Sequence, residues 1–147
     1  MAVDALGVVY SVLLVGALVK VADWVVPYEN LSEAGCRLEY VYDGDTVALD
    51  CGGEIETARL IGLDTPETRD PGCRAEAALG ETATERLREI SARGSVRFSG
   101  QVRDKYGRLL VTMRVDGANV ADLLIAEGLA VPYRGAARID WCDRLRG

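Results

Sequence analysis

Alternating apolar and polar positions mark five short strands along this chain. Arg37 to Tyr42 alternates, Asp43-Gly44-Asp45 interrupts it as a turn, and Thr46 to Leu49 resumes it. Gly52-Gly53 turns the chain again, and Ile55 to Ile61 is a third strand. Val96 to Val102 and Leu109 to Val115 are the fourth and fifth, with Lys105-Tyr106-Gly107 between them. Two stretches switch to the helical period. Ala75 to Ser91 sets Leu79, Ala83, Leu87 and Ile90 on one face. Asn119 is a helix N-cap, Asp122 follows at the third helical position, and Gly128 ends the second helix. Five strands with a helix between the third and fourth predict an α+β, mainly β domain. By analogy this is a five-stranded barrel of the OB type with two packed helices.

The N-terminal pattern is different. Ala5 to Val19 carries no charge, and Lys20, Asp23 and Trp24-Val25-Val26-Pro27-Tyr28 follow. This hydrophobic helix reaches the roughly 20 residues of a membrane span if Lys20 snorkels and the segment continues to Val26. Trp24 and Tyr28 would then sit at the interface. The rival reading is a signal peptide cleaved near Val15-Gly16-Ala17, although its first residues, Met-Ala-Val-Asp, contain no basic side chain. The expected organisation is a hydrophobic segment over 1–28, a linker over 29–36 and a globular domain over 37–147. An exported protein, anchored in the membrane or secreted after cleavage, is the expectation.

Cysteine usage points the same way. Cys36, Cys51, Cys73 and Cys142 are widely spaced, and no C-x-x-C pair or histidine accompanies them, which argues against a zinc knuckle. An even count fits two disulfides in an exported protein. Cys36 and Cys51 flank the first hairpin and are placed to face each other. Cys73 and Cys142 would then tie the loop before the long helix to the chain end. The alternative is four reduced cysteines, some buried as small apolar residues.

Of the 147 residues, 49 % are apolar, enough for one domain with a core, and the formal net charge is −6. That balance does not favour a polyanion, so a nucleic-acid partner needs a local basic patch or a bound cation. The absence of histidine removes the usual acid and base of neutral pH. It also excludes Ser-His and Cys-His nucleophile pairs. Carboxylates and arginines remain. Asp45 and Asp64 each close a strand beside a turn, and two hard oxygen donors suit Ca²⁺ better than a soft metal. Pro66 biases Thr65 to an extended conformation, which can aim its carbonyl at the same ion. Arg59 sits inside an apolar strand and must face a polar cavity or a partner. Arg108 follows a tight turn, and a guanidinium grips phosphate with two parallel bonds. Glu67 is the candidate general base. Lys105, Tyr106 and Tyr133 are candidate phosphate and base contacts. These groups together point to phosphoryl transfer or phosphodiester hydrolysis, where catalysis is mostly positioning and charge neutralisation.

From about Arg37 to Tyr133 the chain resembles the staphylococcal nuclease (thermonuclease) family. The resemblance rests on Asp43-Gly44-Asp45-Thr46, Arg59-Leu60-Ile61-Gly62-Leu63-Asp64-Thr65-Pro66-Glu67, Asp104-Lys105-Tyr106-Gly107-Arg108 and Gly128-Leu129-Ala130, in that order. It implies a five-stranded OB-type barrel with packed helices that hydrolyses phosphodiesters of DNA and RNA with Ca²⁺, leaving 3′-phosphates. By position it implies Asp45, Asp64 and the Thr65 carbonyl as ion ligands, with Asp43 reaching the ion through water. It implies Glu67 as general base and Arg59 and Arg108 as the pair that grips the phosphate. Lys105 and Tyr106 match positions near the terminal phosphate of a bound nucleotide. Tyr133 matches a nucleotide-contacting tyrosine when one residue is deleted after Ala130. Single-stranded substrates are the expected preference. The chain departs from the family in ending soon after Tyr133, in the short, lysine-poor loop after Glu67 and in its acidic balance. The alternative is a catalytically inactive barrel that binds nucleic acid or protein.

Overall fold

The computed structural model describes Ser32 and residues 35–147. The hydrophobic segment of residues 1–28 lies outside the described residues, as does most of the linker. Among the described residues no helix is long and apolar enough to cross a membrane.

The strands are β1 (Cys36–Val41), β2 (Thr46–Cys51), β3 (Glu54–Leu60), β4 (Gly62–Asp64), β5 (Val96–Arg103), β6 (Leu109–Val115), β7 (Ala118–Asn119) and β8 (Val131–Tyr133). The helices are α1 (Arg74–Arg93), α2 (Val120–Ala126) and α3 (Trp141–Leu145). The five long strands form one sheet in the order β1-β2-β3-β6-β5, with β7 added beside β6. A second, two-stranded sheet pairs β4 with β8. Among the described residues no strand ladder joins β1 to β5. Instead Ser32 bridges from just ahead of β1, donating its N–H to the Phe98 carbonyl at 3.3 Å and accepting the Phe98 N–H on Oγ at 2.7 Å. The result is a mainly β, α+β fold whose curled sheet and three helices among the described residues fit the family that the motifs resemble.

The five expected strands are present, and the structure adds three short ones and a third helix. Strands of two or three residues are too short to show a period, so alternation cannot reveal them. The five residues of α3 are equally silent, although Asp140 caps them by accepting the Asp143 N–H at 2.9 Å. The second helix has the expected cap: Asn119 Oδ1 accepts the Ala121 N–H at 3.1 Å. Gly128, at φ +73°, supplies the left-handed turn after it.

Register carries the functional motifs to one end of the sheet. The antiparallel β2–β3 pairing sets Thr46 opposite Arg59, so the turn before β2 lies beside the end of β3. The parallel β3–β6 pairing sets Arg59 opposite Leu110, which brings the turn before β6 to the same place. The β4–β8 pairing sets Asp64 opposite Val131 and Gly62 opposite Tyr133. Beneath this end, Val47, Leu49, Leu63, Leu87, Phe98, Val111, Met113 and Leu124 are fully buried or nearly so. Burying each such side chain contributes about 1.5–3 kcal/mol. Leu87 belongs to the predicted apolar face of α1, whose buried residues also include Ala83 and Ile90, while Leu79 is only partly buried.

Both anticipated disulfides are formed. Cys36–Cys51 joins directly opposed residues of β1 and β2, and Cys73–Cys142 ties the start of α1 to α3.

Candidate active site

The turn before β2 builds the floor of the site. Asp43 Oδ1 accepts the Asp45 N–H at 3.0 Å, which turns the Asp45 carboxylate inward. There Asp45 Oδ2 accepts the Thr65 N–H at 3.0 Å and the Thr65 hydroxyl at 2.9 Å. Gly44 is needed for this approach, because a Cβ there would lie 2.8 Å from Thr65 Cγ2. Asp45 is 6 % exposed and Asp64 is fully buried, so the two acidic groups lie under the surface rather than on it. Burial pushes the Asp45 carboxyl above its ordinary range, against the opposing pull of the Arg59 guanidinium.

Arg59 meets the requirement that its sequence position imposed. Its Nη1 lies 3.0 Å from Asp45 Oδ2 and its Nη2 lies 3.5 Å from Asp64 Oδ1. Nη1 also donates to the Leu60 carbonyl at 2.9 Å, and Nη2 to the Leu63 carbonyl at 3.3 Å. Arg108 is held differently. Asp104 accepts its Nε at 2.8 Å and its backbone N–H at 3.0 Å, which closes the turn and fixes the guanidinium. Desolvation works to raise the Asp104 carboxyl. The hydrogen bonds from Arg108 and from the Tyr106 N–H outweigh it and hold the group below its ordinary value. Tyr106 is 72 % exposed, with Lys105 Nζ 5.0 Å and Arg108 Cζ 5.5 Å from its ring centroid.

These groups surround a cleft of about 800 Å³. Asp45, Arg59, Glu67, Lys105, Tyr106, Arg108 and Tyr133 line it. Asp64 and Thr65 lie just beneath, linked to the lining through Asp45 and Arg59. All nine candidate residues are therefore brought to one place. The lining also contains Arg134 and Arg138, which no motif marked. With Arg59, Lys105 and Arg108 they put five cationic side chains in a lining that also holds Asp43, Asp45, Glu67 and Asp104, so the cleft is close to charge-balanced although the whole chain carries −6.

Sequence reasoning missed three residues that act on the motif groups. Arg138 Nε donates to Asp64 Oδ1 at 2.6 Å, its Nη2 donates to the Thr65 carbonyl at 3.2 Å, and its Nη1 bonds to Glu67 Oε1. Partial burial disfavours the Arg138 charge, but the bonds to Glu67 and Asp64 outweigh that and raise its pKa. Trp141 donates its indole N–H to Asp64 Oδ2 at 3.1 Å. Glu76, buried in the first turn of α1, accepts the Glu67 N–H at 3.2 Å and the Gly72 N–H at 2.7 Å. It thereby fixes the backbone that carries Glu67.

The donor set suits a hard divalent cation. Asp45 and Asp64 offer carboxylate oxygens, and Thr65 offers its carbonyl. A positive group already rests on two of these donors, since the Arg138 guanidinium touches both Asp64 and the Thr65 carbonyl.

Comparison with known proteins identifies the family. The profile described as staphylococcal nuclease homologue matches residues 57–142. The SPbeta prophage-derived endonuclease YokF of Bacillus subtilis (strain 168) is 40 % identical over 113 residues, covering 74 % of this chain and 38 % of the relative. Endonuclease YncB of the same organism is 37 % identical over 113 residues, covering 74 % and 53 %. Thermonuclease of Staphylococcus hyicus is 32 % identical over 103 residues, covering 69 % and 60 %. The chain thus spans between 38 % and 60 % of the length of these three relatives. With residues 57–142 of 147 matched, and the motif side chains gathered around one cleft, the chain belongs to the family of staphylococcal nuclease homologues.

Proposed function

We propose that this protein is a calcium-dependent nuclease that hydrolyses phosphodiester bonds of DNA and RNA. The observation that carries the reading is the convergence of Asp45, Asp64, the Thr65 carbonyl, Glu67, Arg59 and Arg108, from the end of β3 and three segments beside strand ends, onto one cleft and its floor. The names of its relatives, two endonucleases and a thermonuclease, support the same class of reaction.

In this reading Asp45, Asp64 and the Thr65 carbonyl hold Ca²⁺. When bound there, the ion would supply positive charge against the phosphate oxygens. Glu67 lines the cleft and removes the proton from the attacking water. Its carboxylate is 39 % exposed, so water reaches it directly. Arg59 and Arg108 face the phosphate oxygens. Each is preorganised by bonds within the protein, so little reorganisation is needed as charge develops. Lys105 adds positive charge at the rim. Tyr106 and Tyr133 give flat faces for unpaired bases, which supports a preference for single strands. Two disulfides suit an oxidising compartment, and with the hydrophobic N-terminal segment they support export.

The test is degradation of single-stranded DNA and of RNA by purified protein in Ca²⁺, Mg²⁺ or chelator. Glu67→Gln and Arg108→Ala are each expected to lower the rate by on the order of 10²–10³. Full activity in chelator, or in Glu67→Gln, would overturn the assignment.

A further inference from the structure

Arg138 stands on the stretch between β8 and α3, outside every motif that carries the family resemblance. Its guanidinium bridges three acceptors: Asp64 Oδ1, the Thr65 carbonyl and Glu67 Oε1. In the functional reading above, on which this inference rests, the first two are ion ligands and the third is the base. We propose that Arg138 is a built-in counter-cation that occupies the ion's ligands and must be displaced from Asp64 and the Thr65 carbonyl before a divalent cation binds. Arg138 thereby sets the cation affinity of the site.

The hydrogen-bond inventory supports competition rather than coexistence. Asp64 is fully buried, and its oxygens are already engaged by Arg138 and Arg59 on Oδ1 and by Trp141 on Oδ2. A cation at Asp64 would also stand beside a guanidinium of like charge, which is costly in a poorly solvated site. One of the two arginines therefore yields. Arg59 is 12 % exposed and anchored by the carbonyls of Leu60 and Leu63, so it stays. Arg138 is 43 % exposed, and among the described residues its partners are the three acceptors it would release. It has a solvated position to move into, because it already lines the open cleft.

Arg138 cannot move far, however. Three residues later Trp141 is buried against Asp64, and the next residue is held to Cys73 by a disulfide. This tether keeps the guanidinium at high effective concentration beside the ion ligands. An internal competitor multiplies the apparent dissociation constant by the inverse of the undocked fraction. If Arg138 is docked nine-tenths of the time, the penalty is about tenfold.

The test is calorimetric titration of the 147-residue chain with Ca²⁺ under non-reducing conditions, with Arg138→Ala, Arg138→Gln and Arg134→Ala alongside. Two Arg138 variants guard against one that folds poorly, and folding is checked by thermal melting in chelator. Arg134 lines the same cleft, and the hydrogen bonds to Asp64 Oδ1, the Thr65 carbonyl and Glu67 Oε1 come from Arg138 instead, so Arg134 controls for the loss of one positive charge. The expected result is about tenfold or greater tightening for the folded Arg138 variants and a much smaller change for Arg134→Ala. Unchanged or weaker binding in the Arg138 variants, or equal tightening in Arg134→Ala, overturns this inference and leaves the calcium reading standing. Absence of Ca²⁺ binding in every folded variant and in the wild type overturns both.

Discussion

The indole N–H of Trp141 reaches across 77 positions of sequence to donate a 3.1 Å hydrogen bond to Asp64 Oδ2. Both residues are buried, Trp141 at 3 % exposure and Asp64 at none. One side chain thus fills the space under the β4 end of the site and also orients a carboxylate assigned to the ion. Asp64 sits at the close of β4, a strand of three residues, and depends on such partners for its direction. Trp141 is the first residue of α3, so this helix is part of the site's architecture.

Trp141→Phe keeps most of the packing and removes only this donor. Losing one partner of a buried, charged acceptor costs about 1–3 kcal/mol. Urea unfolding in the absence of Ca²⁺ is expected to show a loss of that size. Weaker Ca²⁺ binding should accompany it, because Asp64 is no longer held in one orientation. An unchanged midpoint together with unchanged Ca²⁺ affinity would remove Trp141 from the support of the site.

The two disulfides should differ both in strength and in consequence. Cys36–Cys51 spans 15 positions and Cys73–Cys142 spans 69. Chain-entropy reasoning assigns about 3 kcal/mol to the first and about 4 kcal/mol to the second. Double Ser substitution of Cys73 and Cys142 is expected to lower both stability and activity, since the bridge anchors α3 and with it Trp141. The same substitution at Cys36 and Cys51 should lower stability and spare activity. Unfolding midpoints and initial rates below the melting transition separate the two effects.

The contrast between Arg59 and Arg138 shows what was legible in the sequence. Arg59 stands in a five-strand alternating pattern and a dense motif, so its need for a polar partner could be read from its neighbours. Asp45 and Asp64 could be read in the same way, because each lies beside a strong turn signal. Arg138 and Trp141 are positioned by the three-residue β4–β8 pairing and by a five-residue helix, neither long enough to leave a period. One signal did point toward them. The expected Cys73–Cys142 bridge ties the chain end to the loop after Glu67, and whatever precedes Cys142 must then lie near that loop. What could not be read was the side-chain chemistry of the contact, which depends on rotamers and burial rather than pattern.

Gly80→Ala tests how closely α1 is packed on the loop that carries Glu67. A Cβ at Gly80 would lie 2.8 Å from the Pro66 carbonyl oxygen and 3.1 Å from that of Glu67. Alanine favours the helix by about 1 kcal/mol over glycine. Overpacking against backbone costs about 1–3 kcal/mol and cannot be relieved by a rotamer change. The net expectation is a less stable protein with a displaced Glu67 and a lower rate, read from a thermal melt and an initial-rate assay. A gain in stability with full activity would mean that the loop moves freely.

Acid should remove the stabilisation contributed by the ion pair that joins α1 to the end of α2. Arg86 holds Glu127 with two bonds, Nε to Oε2 at 2.7 Å and Nη2 to Oε1 at 2.7 Å. The hydrogen bonds from Arg86 hold the Glu127 carboxyl below its ordinary value of 4.5. A carboxyl depressed on folding contributes stability that is fully present above its unfolded pKa and is lost as pH falls through the folded one. The window therefore lies at and below pH 4.5, where Arg86, its pKa raised by the bonds to Glu127 and Glu89, stays charged throughout. The pair is solvent-accessible, so its effect is small and shrinks with salt. Urea midpoints of wild type and Glu127→Gln are expected to differ at neutral pH, with wild type higher, and to converge below the window. A gap that stays constant across it would show that Glu127 stabilises by packing and not by charge.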